Sequence, residues 1–414
     1  MAAAPQPQAQ VQPLPKIVPP YILIDVATGT VLKNNDALRP WYPASTTKLM
    51  SVYTVFDALR AGRVKLDTPV VVSAHALEQP PSKMGFPVGT ELTLDDALKI
   101  MMVKSANDIA MAVAETVGGS EQGFAELMNA EAQRLNMTHT HYANPHGLPN
   151  PDHYTTARDM AVLARALMTE FPEYRSYFKI PAIQFGKKVI RNYNTLIDRY
   201  PGATGMKTGF ICASGYNLVA SAERDGHEVL AVVLGARSGK ARGEQAAALL
   251  NEGLQPSADK VTGSINLDNV SSGISYTEPF DMKPIVCPDH RQAVAADNPE
   301  TDEATTEDGA SGTAPATLAS AGAAGKAASL LGPRFFVGPP VVVHANIPPA
   351  GSAVAARPGP LPRARPPFVA VAADPNVTHA FVEDDASPAK QAAAALIAEP
   401  AAASPRLPKA RPAH

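Results

Sequence analysis

A serine and a lysine three residues apart, in Ser45-Thr-Thr-Lys48, have the types and spacing that acyl transfer requires. On the first turn of a helix, residues i and i+3 share a face. A serine hydroxyl is a poor nucleophile at neutral pH. Lys48 can take its proton only when itself neutral, so its pKa of about 10.4 must fall by several units. Burial and a second nearby cation both push an amine that way. A helix start would also turn backbone N–H groups toward the oxygen that becomes negative when a carbonyl is attacked. The spacing alone carries little, since Ser257-Ala-Asp-Lys260 and Ser387-Pro-Ala-Lys390 repeat it. Two further elements follow Ser45 in order. Ser105-Ala-Asn107 offers a hydroxyl to relay a proton and an amide to orient a substrate amide. A serine at a helix start is usually a cap, however, and Ser264-Ile-Asn266 has the same spacing. Lys207-Thr-Gly209 opens a strand-like run with a cation, a hydroxyl for a carboxylate, and a glycine that lets a substrate backbone approach. Read alone, such a tripeptide is more often a turn.

Positioning these groups falls to elements whose patterns are legible. Tyr21 to Val26 and Val31-Leu32 read as a hairpin at a sheet edge, with Gly29 in the turn. Past Pro43-Ala44-Ser45, the residues Leu49, Val52, Val55, Phe56 and Leu59 recur at helical spacing, which predicts a helix with one core-facing stripe that closes at Gly62. Further helices are predicted from Leu94 to Val103, Asp108 to Val117, Glu121 to Leu135 and Thr156 to Met168. The turn formers of Asn144 to Asp152 predict a surface loop. Short β-branched runs follow at Lys207 to Cys212, Tyr216 to Ser221 and Glu228 to Leu234, the last two joined by Arg224-Asp-Gly226-His. A helix from Arg242 to Leu250 would cover them, and Ser264-Ile-Asn-Leu-Asp reads as a short strand. The order predicts an α/β fold, a mainly antiparallel sheet flanked by helices with a helical lobe, and a site in the groove between lobe and sheet.

Taken together, the three elements are the S-x-x-K, S-x-N and K-T-G set of penicillin-binding proteins and β-lactamases. With Ser82-Lys-Met84, His146-Gly-Leu148, Ala157-Arg-Asp159 and Gly215-Tyr-Asn-Leu-Val219, residues 21–255 resemble the low-molecular-mass penicillin-binding proteins that are serine-type D-alanyl-D-alanine carboxypeptidases. The resemblance implies a β-lactamase/transpeptidase-like fold and acyl transfer without metal or cofactor. Ser45 would attack the carbonyl between the terminal D-alanines of a peptidoglycan stem peptide, with Lys48 as base. Ser105 would protonate the leaving amine, helped by Lys207, and Asn107 would hold the substrate backbone. The N–H groups of Ser45 and Phe210 would form the oxyanion hole beside Gly209. Thr208 and an arginine, Arg242 or alternatively Arg237, would clamp the terminal carboxylate. β-Lactams would be trapped covalently. Ala106 replaces the Asp of the β-lactamase triad, and no Glu lies in the loop from Asn144 to Asp152, so the carboxypeptidase reading is preferred. The alternatives are a β-lactamase or esterase on the same scaffold and a non-catalytic peptidoglycan-binding protein.

The rest of the composition bounds the setting. A formal net charge of −3 gives no basis for a nucleic-acid partner. Ala and Pro supply 49 of the last 114 residues, so the tail from residue 256 to 414 has little to bury and is expected to be largely disordered. No run approaches the ~18–20 apolar residues of a membrane span, and the weak amphipathicity of Gln391 to Ala398 argues against a membrane anchor. Residues 1–20 carry no export signal and read as the linker that follows a removed one; the resemblance implies the periplasm or cell envelope. Cys212, inside an apolar run, reads as a buried small hydrophobe in preference to a disulfide partner.

Overall fold

The architecture is that of a computed structural model describing residues 18–255, 265–271, 274–288 and 329–349. Strands β1 (Tyr21–Asp25) and β2 (Thr30–Asn35) precede a 3-10 turn, Ala44–Thr47, that runs into α1 (Lys48–Arg60). The helical lobe follows, with β3 (Pro69–Val71), α2 (Ala74–Glu78), β4 (Glu91–Thr93), α3 (Leu94–Val103), α4 (Asn107–Gly118), α5 (Glu121–Arg134) and α6 (Ala157–Glu170). Then come β5 (Ala182–Phe185), β6 (Lys188–Arg191), α7 (Leu196–Arg199), three long strands β7 (Ala203–Ile211), β8 (Gly215–Arg224) and β9 (His227–Ala236), and α8 (Gly239–Gly253). Beyond these lie β10 (Ile265–Asn266), α9 (Lys283–Val286) and β11 (Val341–Val342).

Six strands form one antiparallel sheet in the order β10-β2-β1-β9-β8-β7. β9 reads as an unbroken apolar run because both of its faces are covered. Leu230, Val232 and Leu234 turn into the large core with α1 and α6, while Val229, Ala231 and Val233 pack with Ala246, Ala247 and Leu250 of α8. With side chains alternating at a period of two, a one-residue slip would exchange the two cores, which pins the register. The first hairpin is not at the edge expected of it: β1 is internal, and β10 adds to the outer side of β2.

α1 departs from the single-stripe expectation, since every residue from Lys48 to Phe56 is buried. Its polar side chains must then find internal partners. Ser51 Oγ donates to Pro145 O at 2.5 Å, Thr54 Oγ1 to Met50 O at 3.0 Å, and Tyr53 Oη to Glu170 at 2.8 Å. Helix starts are capped as their sequences suggest: Thr93, Ser120, Thr156 and Ser238 each accept from an N–H three residues on.

Folded structure continues past residue 255. Leu267 is buried, and its carbonyl accepts from Arg158 Nε at 3.0 Å. β11 pairs in parallel with β5, and Asn346 bridges Glu91. Cys212 corrects its sequence reading, because it forms a disulfide with Cys287, across 75 residues of chain. Local composition cannot show a partner that the fold brings from so far away. No helix among the described residues is long and apolar enough to cross a membrane. Most of the Pro/Ala tail, including Gln391 to Ala398, lies outside the described residues, as do residues 1–17.

Near the end of β9, Gly235 adopts φ +80°, and a Cβ there would lie 2.2 Å from Cζ2 of the buried Trp41 ring. Gly235→Ala should therefore cost on the order of 2–4 kcal/mol through strain and overpacking, read as a lowered urea midpoint.

Candidate active site

The turn that carries Ser45 is held from three sides. Asn217 of β8 donates from Nδ2 to Tyr42 O at 2.9 Å and to Pro43 O at 3.0 Å, while its Oδ1 accepts from Gly235 N at 2.9 Å. Gly209 of β7 packs so closely that a Cβ would sit 2.9 Å from the Ser45 nitrogen. Gly147 adopts φ +86°, and a Cβ there would lie 1.8 Å from Ala44 O. Ala44 itself has φ +49°, a conformation that costs a non-glycine residue free energy and persists only where neighbours enforce it. His153 adds a further tie. Ala143 N donates to its Nδ1 at 3.1 Å, so Nε2 carries the hydrogen and donates to Thr47 Oγ1 at 2.8 Å.

Lys48 is fully buried at the start of α1. Its Nζ donates to Asn107 Oδ1 at 2.7 Å and to His146 O at 3.0 Å, and lies 3.1 Å from Ser45 Oγ. Asn107 opens α4, where its own N–H donates to Ser82 O at 2.7 Å and its Nδ2 to Pro80 O at 3.0 Å. The amide thus spends its oxygen on the lysine and one of its hydrogens on the Pro80 carbonyl. Asp108 secures the same loop by accepting from Met84 N and Gly85 N. Between α3 and α4, Ser105 has φ +60°, and its buried Oγ has no hydrogen-bond partner. A buried hydroxyl without a partner costs about 1–3 kcal/mol, and strain beside it marks a group held for a ligand.

The opposite wall is β7. Lys207-Thr-Gly209 lies in the middle of this strand, not at its opening as expected, because the pairing with β8 starts at Ala203. Lys207 Nζ donates to Thr208 O at 2.9 Å, and burial, reinforced by the cations of Lys48 and Arg242, holds its pKa well below the usual lysine value. Ser45, Ser105, Asn107, Thr208, Gly209, Phe210 and Arg242 all line one cleft. Arg242 is buried there, its guanidinium 5.6 Å from the Tyr216 ring centre, whereas Arg237 is exposed and is not among the lining residues. Lys48 and Lys207 stand behind this lining, each touching it through a hydrogen bond.

Several lining residues were not expected. The loop from Asn144 to Asp152 is only partly superficial: Asn144 to Gly147 are buried, and His146 and Gly147 border the cleft. Leu148 N donates to His146 Nδ1 at 3.3 Å, so the hydrogen sits on Nε2, a buried atom with no partner. Burial first, then the neighbouring Lys48 ammonium, depresses this imidazole well below its usual pKa. Tyr193 and Ser82 complete the rim, with Lys104 Nζ donating to Tyr193 Oη at 2.6 Å. Ser82 was legible within Ser82-Lys-Met84, whereas Tyr193 sits in no recognisable motif. The arrangement presents a hydroxyl beside a buried amine, an unpartnered second hydroxyl, and the basic side chains of Lys207 and Arg242 at the far end. These are the parts of an acyl-transfer site for a substrate carrying a carboxylate.

Residues 10–238 match the sequence profile of the D-alanyl-D-alanine carboxypeptidase family. The D-alanyl-D-alanine carboxypeptidase DacF of Bacillus subtilis (strain 168) is 36% identical over 236 residues, 56% of this chain and 60% of the relative. DacC of Escherichia coli (strain K12) is 37% identical over 242 residues, 57% of this chain and 60% of the relative. The chain therefore spans about 60% of the length of these curated relatives. Among solved structures, the D-alanyl-D-alanine carboxypeptidase DacD from Francisella tularensis superposes with a TM-score of 0.56 at 30% identity, covering 61% of this chain and 74% of that one.

Burial, with His141 nearby, pushes the His153 pKa from 6.5 to about 3. The unfolded chain binds this proton more readily than the folded one, so stability should fall as pH drops from about 6.5 toward 3. Denaturation midpoints measured between pH 7 and 4 should decline less steeply for His153→Gln than for the parent.

Proposed function

The chain belongs to the D-alanyl-D-alanine carboxypeptidase family, and from that premise we propose that it removes the terminal D-alanine from peptidoglycan stem peptides through an acyl-enzyme on Ser45. One observation carries the reading: the buried Lys48 amine sits 3.1 Å from Ser45 Oγ while donating to Asn107 Oδ1 and His146 O. Two hydrogens committed to fixed acceptors leave the third position on the nitrogen facing the hydroxyl. That position is a lone pair when the amine is neutral, ready to take the serine proton.

Ser45 Oγ then bonds the carbonyl carbon of the penultimate D-alanine, and its proton passes to Lys48. The N–H groups of Ser45 and Phe210 face the oxygen that becomes negative. The C–N bond breaks as Ser105 Oγ hands its proton to the leaving nitrogen and takes in exchange the proton that Lys48 received from Ser45, so that Lys48 is again a neutral amine, with the Lys207 side chain alongside. Thr208 and Arg242 hold the carboxylate of the departing D-alanine, the geometry in which an arginine pairs best. Water attacks the ester carbon and gives one proton to Lys48, the bond from that carbon to Ser45 Oγ breaks, Lys48 passes the proton to Oγ, and the shortened peptide leaves with a new carboxyl end. A β-lactam enters the same path and stalls at the ester. The Cys212–Cys287 disulfide fits an oxidising compartment such as the cell envelope.

Brief exposure to penicillin followed by intact mass and peptide mapping should find a persistent penicilloyl adduct on Ser45, absent from Ser45→Ala, which should also release no D-alanine from a pentapeptide. Penicillin consumed without an adduct would indicate a β-lactamase; peptide binding that survives Ser45→Ala, with no adduct in the parent, would indicate a wall-binding protein. Arg242→Ala should raise KM for a carboxylate-ended peptide roughly 10- to 100-fold, the value of a charge-assisted bond. Amidating that terminus should remove most of the difference between parent and variant.

A further inference from the structure

None of residues 274–288 lines the cleft, yet they brace both of the segments that form its walls. On one side they hold the loop that leads into Ser45. Phe280 N donates to Pro40 O at 3.4 Å, and the Phe280 ring stacks on Trp41 with centroids 5.5 Å apart. The Arg39 guanidinium lies 4.9 Å from the Phe280 ring centre and 5.0 Å from that of Tyr276, whose hydroxyl donates to Asp36 at 2.6 Å. On the other side they hold the β7–β8 turn that follows Phe210 and Ile211. Met282 N donates to Ala213 O at 2.9 Å, and Cys287 bonds Cys212. Trp41 Nε1 donates to Ser214 O at 2.8 Å and so ties the two braced segments together.

The far end of this strap is held by partial packing of Ile285 and Val286 on the core and by the bridge. None of the residues of α9 is buried; Met282 and Cys287, at 2% and 4% exposure, flank it. This four-residue helix packs on the core only through the half-buried Ile285 and Val286, and the freedom it loses on ordering must be offset by its ties. The disulfide is the covalent one.

We propose that Cys212, Cys287 and Phe280 are positioning residues, forming a strap whose closure sets the separation of Ser45 from Phe210 and so the rate of acyl transfer. Acyl transfer tolerates little misplacement, a shift of about 1 Å costing up to 10²-fold. The inference rests on Ser45 being the nucleophile. A dithiol opens the strap by reducing the bridge to two thiols while itself closing to a cyclic disulfide.

The test compares the oxidised protein, the same protein reduced with dithiothreitol, and Cys212→Ser/Cys287→Ser. Penicillin acylation rates and amide hydrogen exchange are measured on each at a temperature where all remain folded. Reduction should slow acylation at least fivefold and raise exchange in residues 39–47 and 207–216, while α3 to α5 exchange as before. Reoxidation should restore both, and the double variant should match the reduced protein and ignore dithiothreitol. Phe280→Ala, which keeps the bridge, should loosen residues 39–43. Unchanged acylation with unchanged exchange overturns the proposal, and so does exchange rising throughout the molecule, which would make the bridge a general staple. If no state forms an adduct, the nucleophile assignment fails, and exchange at the two walls still decides whether the strap positions them.

Discussion

Burying the Lys48 amine is the constraint from which the rest of the site follows. An ammonium or amine taken out of water must be given acceptors, or the desolvation cost is not met. The acceptors here come from distant parts of the chain: Asn107 at the start of α4 and the His146 carbonyl in the loop after α5. Each contributor needs its own anchorage. Asn107 is fixed by the loop carbonyls of Pro80 and Ser82, and the His146 loop is threaded under Ala44 by the glycine at 147. The helical lobe is thus a frame for a single nitrogen as much as it is a hydrophobic core.

The sheet supplies the opposite requirement, a rigid wall that the turn carrying Ser45 can press against. Asn217 on β8 receives that turn through two carbonyls, and Gly209 on β7 lets the backbones meet. Because β8 and β9 are packed on both faces, neither can yield without disturbing two cores. Lys207 pays for this rigidity with burial, which is why its charge is disfavoured where Lys48 and Arg242 already repel it.

Much of this was legible in the sequence, for identifiable reasons. Helices α3 to α6 announce themselves through apolar periodicity and capping residues, and the three short motifs supply residues that meet at the cleft. Local patterns are blind to what arrives from far along the chain. Cys212 sits in an apolar run and looks like any small core residue, while its partner is 75 residues away. The full burial of α1 could not be foreseen from its stripe, since Ser51 and Thr54 look solvent-facing until Pro145 and Met50 offer them carbonyls. Tyr193 reaches the cleft only because β5, β6 and α7 set the path of the chain around it. The segments 274–288 and 329–349 carry almost no periodicity, and they hold through single contacts such as Phe280 on Trp41.

β7 is the last strand of its sheet, and the cleft runs along it. An outermost strand presents unpaired backbone groups to whatever extended chain comes by, which in an ordinary sheet invites association between molecules. Here the approach is narrowed by the Ala44–Thr47 turn packed on Gly209 and by Tyr193 and Ser82 opposite. A thin, flexible peptide can slide in beside such a strand where the flat edge of a second folded protein cannot. The open edge of the strand is thus confined to a narrow cleft, and the crowding that limits contact with another sheet edge also limits the shapes that can reach it.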